Sequence, residues 1–420
     1  MKISIVGIGY IGLPTAVMFA MSGHQVVGMD LNGRAVDALN RGQVIIEEPH
    51  LGEAAAEAVK SGNLRASMEI EPADVYVICV PTPILPDRRA DMNAVLAAAE
   101  SLLPLLKKGD CVILESTSPP GTTRDLICPV LARSGLDPFT DLVVAYCPER
   151  VLPGRILIEM KENNRIVGGL TKSSAAYVRD LYGSFVTGEI FLTDATTAEM
   201  TKLMENTYRD VNIALANELA KICERMGINA WDVISMANRH PRVHLHQPGP
   251  GVGGHCIAVD PWFIVEKQPE LAGIIALARL TNDGMPEHVC EKVRGLLPEA
   301  GGKVCVLGVT YKPDVDDMRE SPIVELIRDL RRMPGVEVTV SDPHVDFEGS
   351  NRRSIEEAAT GADLIVLAVN HSEFKSPDFG RLSACMRHAV VLDTRNFWKS
   401  ESLEAKGFSY HLLGMGRKLL

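Results

Sequence analysis

No uninterrupted run of about 18 apolar residues occurs in the 420-residue sequence, so no membrane-spanning helix is expected. The N-terminal stretch has no charged leader followed by an apolar h-region, and secretion is not expected either. Excess positive charge is also missing. The 43 Lys and Arg against 54 Asp and Glu give a formal charge of -11, which argues against a nucleic-acid or anionic-membrane surface. An anionic ligand would have to meet local arginines or lysines. The nine cysteines, at 79, 111, 128, 147, 223, 256, 290, 305 and 385, contain no CxxC pair and are odd in number. Neither a disulfide framework nor a metal site is expected, and a reducing cytoplasm fits best.

What is present points to a globular protein of two to three domains, with 46% apolar residues. Apolar β-branched runs at Ile3 to Gly7, Gln25 to Gly28, Val75 to Val80, Cys111 to Leu114 and Leu142 to Ala145 alternate with helical stretches. That rhythm predicts an α/β domain, a doubly wound parallel sheet of Rossmann type, ending near Thr187. Thr196 and Glu199 have capping-box spacing, and helix-compatible sequence continues to a stop at Gly227. Such a helix would span about 45 Å. A loop-rich region from Asn238 to Pro261 and a helix ending near Gly284 complete a central helical domain, residues 188–285. Strand patterns restart at Lys303 to Val309, Val336 to Ser341, Asp363 to Val369 and Ala389 to Asp393, which makes 286–420 a Rossmann-like C-terminal domain. Its Gly308-Val309-Thr310-Tyr311-Lys312-Pro313 turn lacks the second and third glycines of a dinucleotide fingerprint, leaving it free for another ligand.

The complete fingerprint is at the other end. Gly7-Ile8-Gly9-Tyr10-Ile11-Gly12 follows the first strand and opens a helix, and Asp30 closes the second strand eighteen residues after Gly12. The first glycine permits a tight turn, the second lets backbone amides approach a pyrophosphate, and the third lets helix and strand pack closely. A carboxylate at Asp30 accepts from a ribose 2′-hydroxyl and repels a 2′-phosphate, so NAD is expected over NADP. Arg34 could instead bridge a 2′-phosphate or lie over the adenine. Thr82 and Thr117 follow the third and fourth strands, where they are either ligand contacts or ordinary turn hydroxyls.

A second chemical feature lies at Gln247 to Trp262, where Cys256 follows four glycines and precedes Asp260-Pro261, an N-cap followed by a first-turn proline. A helix dipole there favours a thiolate or a hemithioacetal oxyanion, although a lone cysteine is more often a small buried hydrophobe. His255 is no partner for it, since adjacent side chains of an extended segment point opposite ways. Lys202, Asn206 and Arg209 share one polar stripe of the long helix. This is either a solvated face or the wall of a cleft, where the lysine would steady an alkoxide and the asparagine a water. Asp260 is a helix cap, a proton carrier, or both.

Taken in order, Gly7 to Gly12, Pro81-Thr82-Pro83, Ser116-Thr117, Pro148-Glu149-Arg150, the Lys202/Asn206 helix, Gly253 to Asp260 and Tyr311-Lys312-Pro313 resemble the UDP-glucose/GDP-mannose dehydrogenase family over nearly the whole chain. Glu149 to Gly154, with His240-Pro241-Arg242, is most similar to the branch acting on UDP-N-acetylmannosamine. The resemblance implies three domains and a UDP-sugar substrate, with a homodimer, or a larger assembly, built on the long helix. It implies NAD-dependent four-electron oxidation of the sugar C6 hydroxyl, with Cys256 as nucleophile, Lys202 and Asn206 beside it and Asp260 in support. By the same likeness Tyr10, Ile11 and Arg319 join the cofactor set. Glu149, Arg150, Val151, Lys202, Asn206, Arg209, His240, Arg242, Gly253, Tyr311, Lys312 and Arg395 would contact the nucleotide sugar. Lys312 and Arg395 also make independent sense, because a UDP pyrophosphate needs cations and the net charge supplies none. One departure is Pro153, where UDP-glucose members tend to carry a second glutamate, so a 2-acetamido sugar is expected over glucose. The alternatives are a 6-dehydrogenase of another nucleotide sugar, UDP-N-acetylglucosamine or UDP-glucose, then a single-step β-hydroxyacid dehydrogenase, against which Cys256 and the C-terminal domain speak, and a non-catalytic nucleotide-sugar sensor.

Overall fold

Short aliphatic runs that helices cover on both faces become central parallel strands, and Val75–Ile78 and Cys111–Leu114 are buried at every position. The computed structural model describes residues 1–152, 154–350 and 353–416. Its contacts group into two units, Met1–Glu205 with Trp262–Pro269, and Asn206–Pro261 with Glu270–Leu420.

The first unit is built on an eight-stranded sheet. Its strands are β1 (Lys2–Val6), β2 (Gln25–Met29), β3 (Leu64–Ser67), β4 (Val75–Ile78), β5 (Cys111–Leu114), β6 (Val143–Tyr146), β7 (Arg165–Gly169) and β8 (Ile190–Asp194), in the order β3-β2-β1-β4-β5-β6-β7-β8. All five strands expected here form. The sheet is not wholly parallel, because β7 runs against β6. Between them the chain forms only one seven-residue helix, Ile156–Glu162, about 10 Å long, too short to carry it back along a strand for a parallel re-entry. Three strands escaped the pattern: β3 is a four-residue edge, β7 ends in two glycines, and β8 is half exposed.

The long helix runs Ala195–Met226, and Gly227 at φ 73° ends it as expected. Its start differs from the expected capping box. The cap is Asp194, whose carboxylate accepts from Thr197 N (3.0 Å) and Thr197 Oγ1 (2.6 Å). Glu199 is instead buried and accepts from Gly121 N, Thr123 N (2.8 Å) and Thr123 Oγ1 (2.7 Å), fastening the loop after β5. A carboxylate offers these donors more than a local cap could.

In the second unit, helices precede a five-stranded, all-parallel sheet of β9 (Gly302–Leu307), β10 (Val336–Ser341), β11 (Leu364–Leu367), β12 (Val390–Asp393) and β13 (Ser409–Leu412), ordered β10-β9-β11-β12-β13. Four of these were expected, and β13 is an additional edge strand. A buried polar chain holds the helices together. Asp210 of the long helix takes Arg279 Nη1 (2.5 Å) and Asn282 Nδ2 (2.8 Å), both from the helix Gly273–Asp283. Asn282 Oδ1 accepts from Asn217 Nδ2 (2.8 Å), and Asn217 Oδ1 accepts from Gly249 N (2.9 Å). A turn or two further on, Glu224 meets His288 Nε2 (2.9 Å), Lys292 Nζ (2.7 Å) and Gly414 N (2.7 Å). Among the described residues no helix is long and apolar enough to cross a membrane.

Two stability predictions follow from these buried carboxylates. Glu199→Ala strands two backbone donors and a hydroxyl, so unfolding in urea should show a loss of about 2–4 kcal/mol. Burial pushes the Glu224 carboxyl up, but its hydrogen bonds from His288, Lys292 and Gly414 N outweigh that and leave it below the ordinary range. Its contribution is therefore full above the unfolded value of about 4.3 and lost as pH falls through the lower folded value. Thermal melts between neutral and acid pH should show Glu224→Gln losing less stability on acidification than the parent protein.

Candidate active site

In the first unit the loop between β1 and the helix Gly12–Met21 is shaped by glycine. Gly7 sits at φ 94°, and a Cβ there would approach Cys79 O to 2.7 Å; one at Gly12 would fall 1.8 Å from Gly7 O. At Gly9 a Cβ would meet no protein atom within 4 Å. The middle glycine is thus not required by packing within the chain, and its bare backbone forms a cradle that a side chain would fill, which suits a pyrophosphate. Asp30 ends β2 and accepts from Ile8 N (3.0 Å) and Asn32 N (2.8 Å), which brings its carboxylate onto the same loop. Tyr10 is exposed and Ile11 half-buried at the helix entrance, while Arg34 is exposed one turn beyond Asp30. Thr82 and Thr117 are half-buried beyond the carboxyl ends of β4 and β5, the neighbours that follow β1 in the sheet.

Beneath this loop is a charged cluster the sequence reading missed. Glu115 accepts from Thr15 Oγ1 (3.0 Å), Cys79 Sγ (3.0 Å), Tyr182 OH (3.2 Å) and Arg165 Nη1 (3.2 Å), and Arg165 also donates to Glu149. Burial raises the Glu115 pKa, with Arg165 opposing. A charged residue beside each of two apolar strands was the available signal. Glu149 is therefore 7% exposed, committed to Arg165 and to Arg150 N (2.7 Å). Arg150 pairs with Glu205 (Nε to Oε2 3.1 Å) and donates to Asn164 O (3.0 Å); Val151 is half-buried. Pro153 lies outside the described residues. Lys202 is half-buried on the long helix.

The thiol loop belongs to the second unit. Cys256 is the one exposed cysteine among the described residues. Burial pushes the thiols of Cys128, Cys147, Cys290 and Cys305 up to about 12, leaving them protonated and inert near neutrality. Cys256 O accepts from Val259 N and Asp260 N, and the helix Asp260–Lys267 starts there. Asp260, 3% exposed, accepts from Asn206 Nδ2 (2.6 Å), so this asparagine belongs to no solvated face, whereas Arg209 is exposed. Gly253 and Gly254 lie against Tyr311: a Cβ at Gly254, φ 84°, would come within 2.9 Å of its ring. Lys312 is half-buried in the same turn. Arg395 donates through Nε to Ala368 O (3.0 Å) with Nη1 against Gly249, and desolvation lowers its pKa to about 10, so it remains a cation. Arg319 forms a two-pronged pair with Asp317 (2.8 and 2.7 Å) in this unit rather than in the one that carries the glycine loop. His240 and Arg242 are exposed, joined by Arg242 N to His240 Nδ1 (3.4 Å).

Family models match in series along the chain: the NAD binding domain of the UDP-glucose/GDP-mannose dehydrogenase family over residues 1–186, its central domain over 196–283 and its UDP binding domain over 305–400. The chain belongs to the UDP-glucose/GDP-mannose dehydrogenase family. Members of this family most similar to it include a UDP-N-acetyl-D-mannosamine dehydrogenase of Methanocaldococcus jannaschii, 45% identical over 99% of this chain and 97% of the relative. An NDP-N-acetyl-D-galactosaminuronic acid dehydrogenase of Ralstonia solanacearum is also 45% identical, over 96% of this chain and 97% of the relative. The solved structure of a UDP-D-ManNAc dehydrogenase from Pyrococcus horikoshii superposes with a TM-score of 0.92 at 39% identity, covering 99% of this chain and 100% of that one. The protein is therefore an NAD-dependent nucleotide-sugar dehydrogenase with the three-domain fold of the family, and the glycine cradle with Asp30 fits its cofactor. Asp30→Ala should raise the KM for NAD at least about tenfold, the worth of one hydrogen bond to a charged group, while the KM for the sugar nucleotide stays within about twofold.

Proposed function

We propose that the protein oxidises the C6 hydroxyl of UDP-N-acetyl-D-mannosamine to the carboxylate, using two NAD and one water per sugar. The single observation that carries a covalent route is Cys256: of nine cysteines it alone is exposed, in a glycine-rich turn beside the Asn206–Asp260 pair. NAD supplies a two-electron hydride acceptor, used twice. Lys202, directly or through water, assists removal of the hydroxyl proton as the first hydride leaves C6. Cys256 Sγ then adds to the aldehyde carbon, giving a thiohemiacetal whose C–H bond can yield the second hydride. The product is a thioester. Asn206 and Asp260 hold the water that attacks it, the C–S bond breaks, and the thiol regains its proton. Lys312 and Arg395 meet the pyrophosphate, and Tyr311, His240, Arg242, Arg209 and Arg150 the rest of the nucleotide sugar.

The assembly we infer is a homodimer in a reducing cytoplasm. Tyr208, Leu215 and Ile222 recur every seven residues on the long helix at 59%, 51% and 45% exposure, with Met226 at 64%. Such a stripe suits an identical helix from a second copy. Leu215→Asp with Ile222→Asp should halve the mass seen by light scattering.

For the chemistry, a panel of UDP- and GDP-sugars with NAD and NADP is the deciding measurement. The expected result is two NADH per UDP-N-acetyl-D-mannosamine consumed, and Cys256→Ala should make no uronate while still binding UDP-sugar. One NADH per substrate would instead restore a single-step dehydrogenase, and sugar binding without any NADH a sensor. Preference for a galactosamine-type sugar is the second reading, favoured by the Ralstonia relative.

A further inference from the structure

Beyond the groups assigned above, the second unit holds a dense titratable cluster: Asp314, His344, His371 and Glu373 place one ligand atom each within 4.8 Å of one another. Its composition suggests a metal, but its hydrogen bonds point elsewhere. His371 is fully buried; its Nδ1 accepts from Asp314 N (3.0 Å), and its Nε2 lies 3.1 Å from Asp342 Oδ2 and 3.2 Å from Thr310 Oγ1. Accepting at Nδ1 places the ring hydrogen on Nε2, shared between the Asp342 carboxylate and the Thr310 hydroxyl oxygen. Neither ring nitrogen then keeps a lone pair for a cation.

What these bonds hold is one turn. The Thr310 hydroxyl donates to Lys312 O (2.9 Å), Asp342 Oδ2 also accepts from Val309 N (2.7 Å), and Asp314 Oδ1 accepts from Ser372 N (2.7 Å). Asp314 itself sits at φ 60°, a left-handed conformation uncommon for non-glycine residues though tolerated by aspartate. Residues 309, 310 and 314 are thus pinned from the turns after β10 and β11, Lys312 O is held in turn by Thr310, and His371 bonds to 310 and 314 directly. The same turn carries Tyr311, packed on Gly253 and Gly254 two residues before Cys256, and the half-buried Lys312.

We propose that His371, as a neutral imidazole, is the positioning residue for nucleotide-sugar binding: it fixes the 309–314 turn so that Lys312 and Tyr311 are presented to the substrate, without touching the substrate itself. This rests on the functional reading above, in which that turn meets the UDP-sugar. The ring does two jobs that a hydrophobe of equal size cannot, accepting from a backbone amide and donating to the carboxylate that holds the start of the turn.

The test combines calorimetric titration of UDP with steady-state kinetics on the full-length protein. His371→Ala should weaken UDP binding and raise the KM for the UDP-sugar about tenfold or more, leave kcat within about threefold, and leave the KM for NAD unchanged. His371→Asn, whose amide oxygen can accept from Asp314 N, should recover most of the loss. Adding Lys312→Ala to His371→Ala should cost far less than the two single effects combined, because both act through one contact. Additive effects, unchanged UDP affinity, equal losses of UDP and NAD affinity, or UDP binding that needs zinc and disappears with a chelator would each overturn the proposal. If His371→Ala does not fold, Thr310→Val removes the hydroxyl that joins His371 Nε2 to Lys312 O and should show the same pattern of changes. A parent protein that binds no UDP and oxidises no UDP-sugar would instead refute the functional reading, a result distinct from a working enzyme indifferent to His371.

Discussion

Buried polar side chains on one stripe of the helix Ala195–Met226 are the constraint on which the loops depend. Glu199, Asn206, Asp210, Asn217 and Glu224 follow one another at intervals of seven or four residues, so they share a face. Each is turned inward and each holds a different piece of chain: the loop after β5, the start of the Cys256 helix, the helix Gly273–Asp283, the Gly249 turn and the Gly414 turn. Such groups contribute little net stability if fully satisfied and cost much if one partner is lost, so they fix geometry more than they add energy. A catalytic turn needs that property: loops rich in glycine have no side chains with which to pin themselves.

The same helix departs from the usual amphipathic pattern. Tyr208, Leu215 and Ile222 face outward while carboxylates and amides face in. Exposed apolar area is unfavourable in water, and this stripe is the observation behind the homodimer proposed above. The NAD loop is organised on another principle, in which close approach of backbone to backbone at Gly7 and Gly12 leaves Gly9 open to a ligand.

Cysteine usage shows how burial sorts one residue type into two roles. Cys147 and Cys305 lie in the interior, where desolvation raises their pKa to about 12 and makes them small hydrophobes. Cys256 lies at the surface of a turn that glycine opens. No feature of the cysteine itself distinguishes the two; its neighbours do.

Local chemistry made much of this visible in the sequence alone. The fingerprint Gly7 to Gly12 with Asp30, the strand-helix alternation, the stop at Gly227 and the turn around Cys256 each depend on residues close in the chain, whose conformational preferences act wherever they are placed. Only the tertiary structure decided the rest. Glu199 was free to complete a capping box with Thr196 until the loop at Gly121 to Thr123 offered it three better donors. Glu149 gave no sign in the sequence of its bond to Arg165, sixteen residues away on β7, in the interior. Asp210 and Asn217 carry no local sign of burial, which is unfavourable for a polar group unless a partner is supplied, and Arg279 and Asn282, about seventy residues on, are that partner. A sequence states which groups can bond, and folding determines which of them are left without water and must.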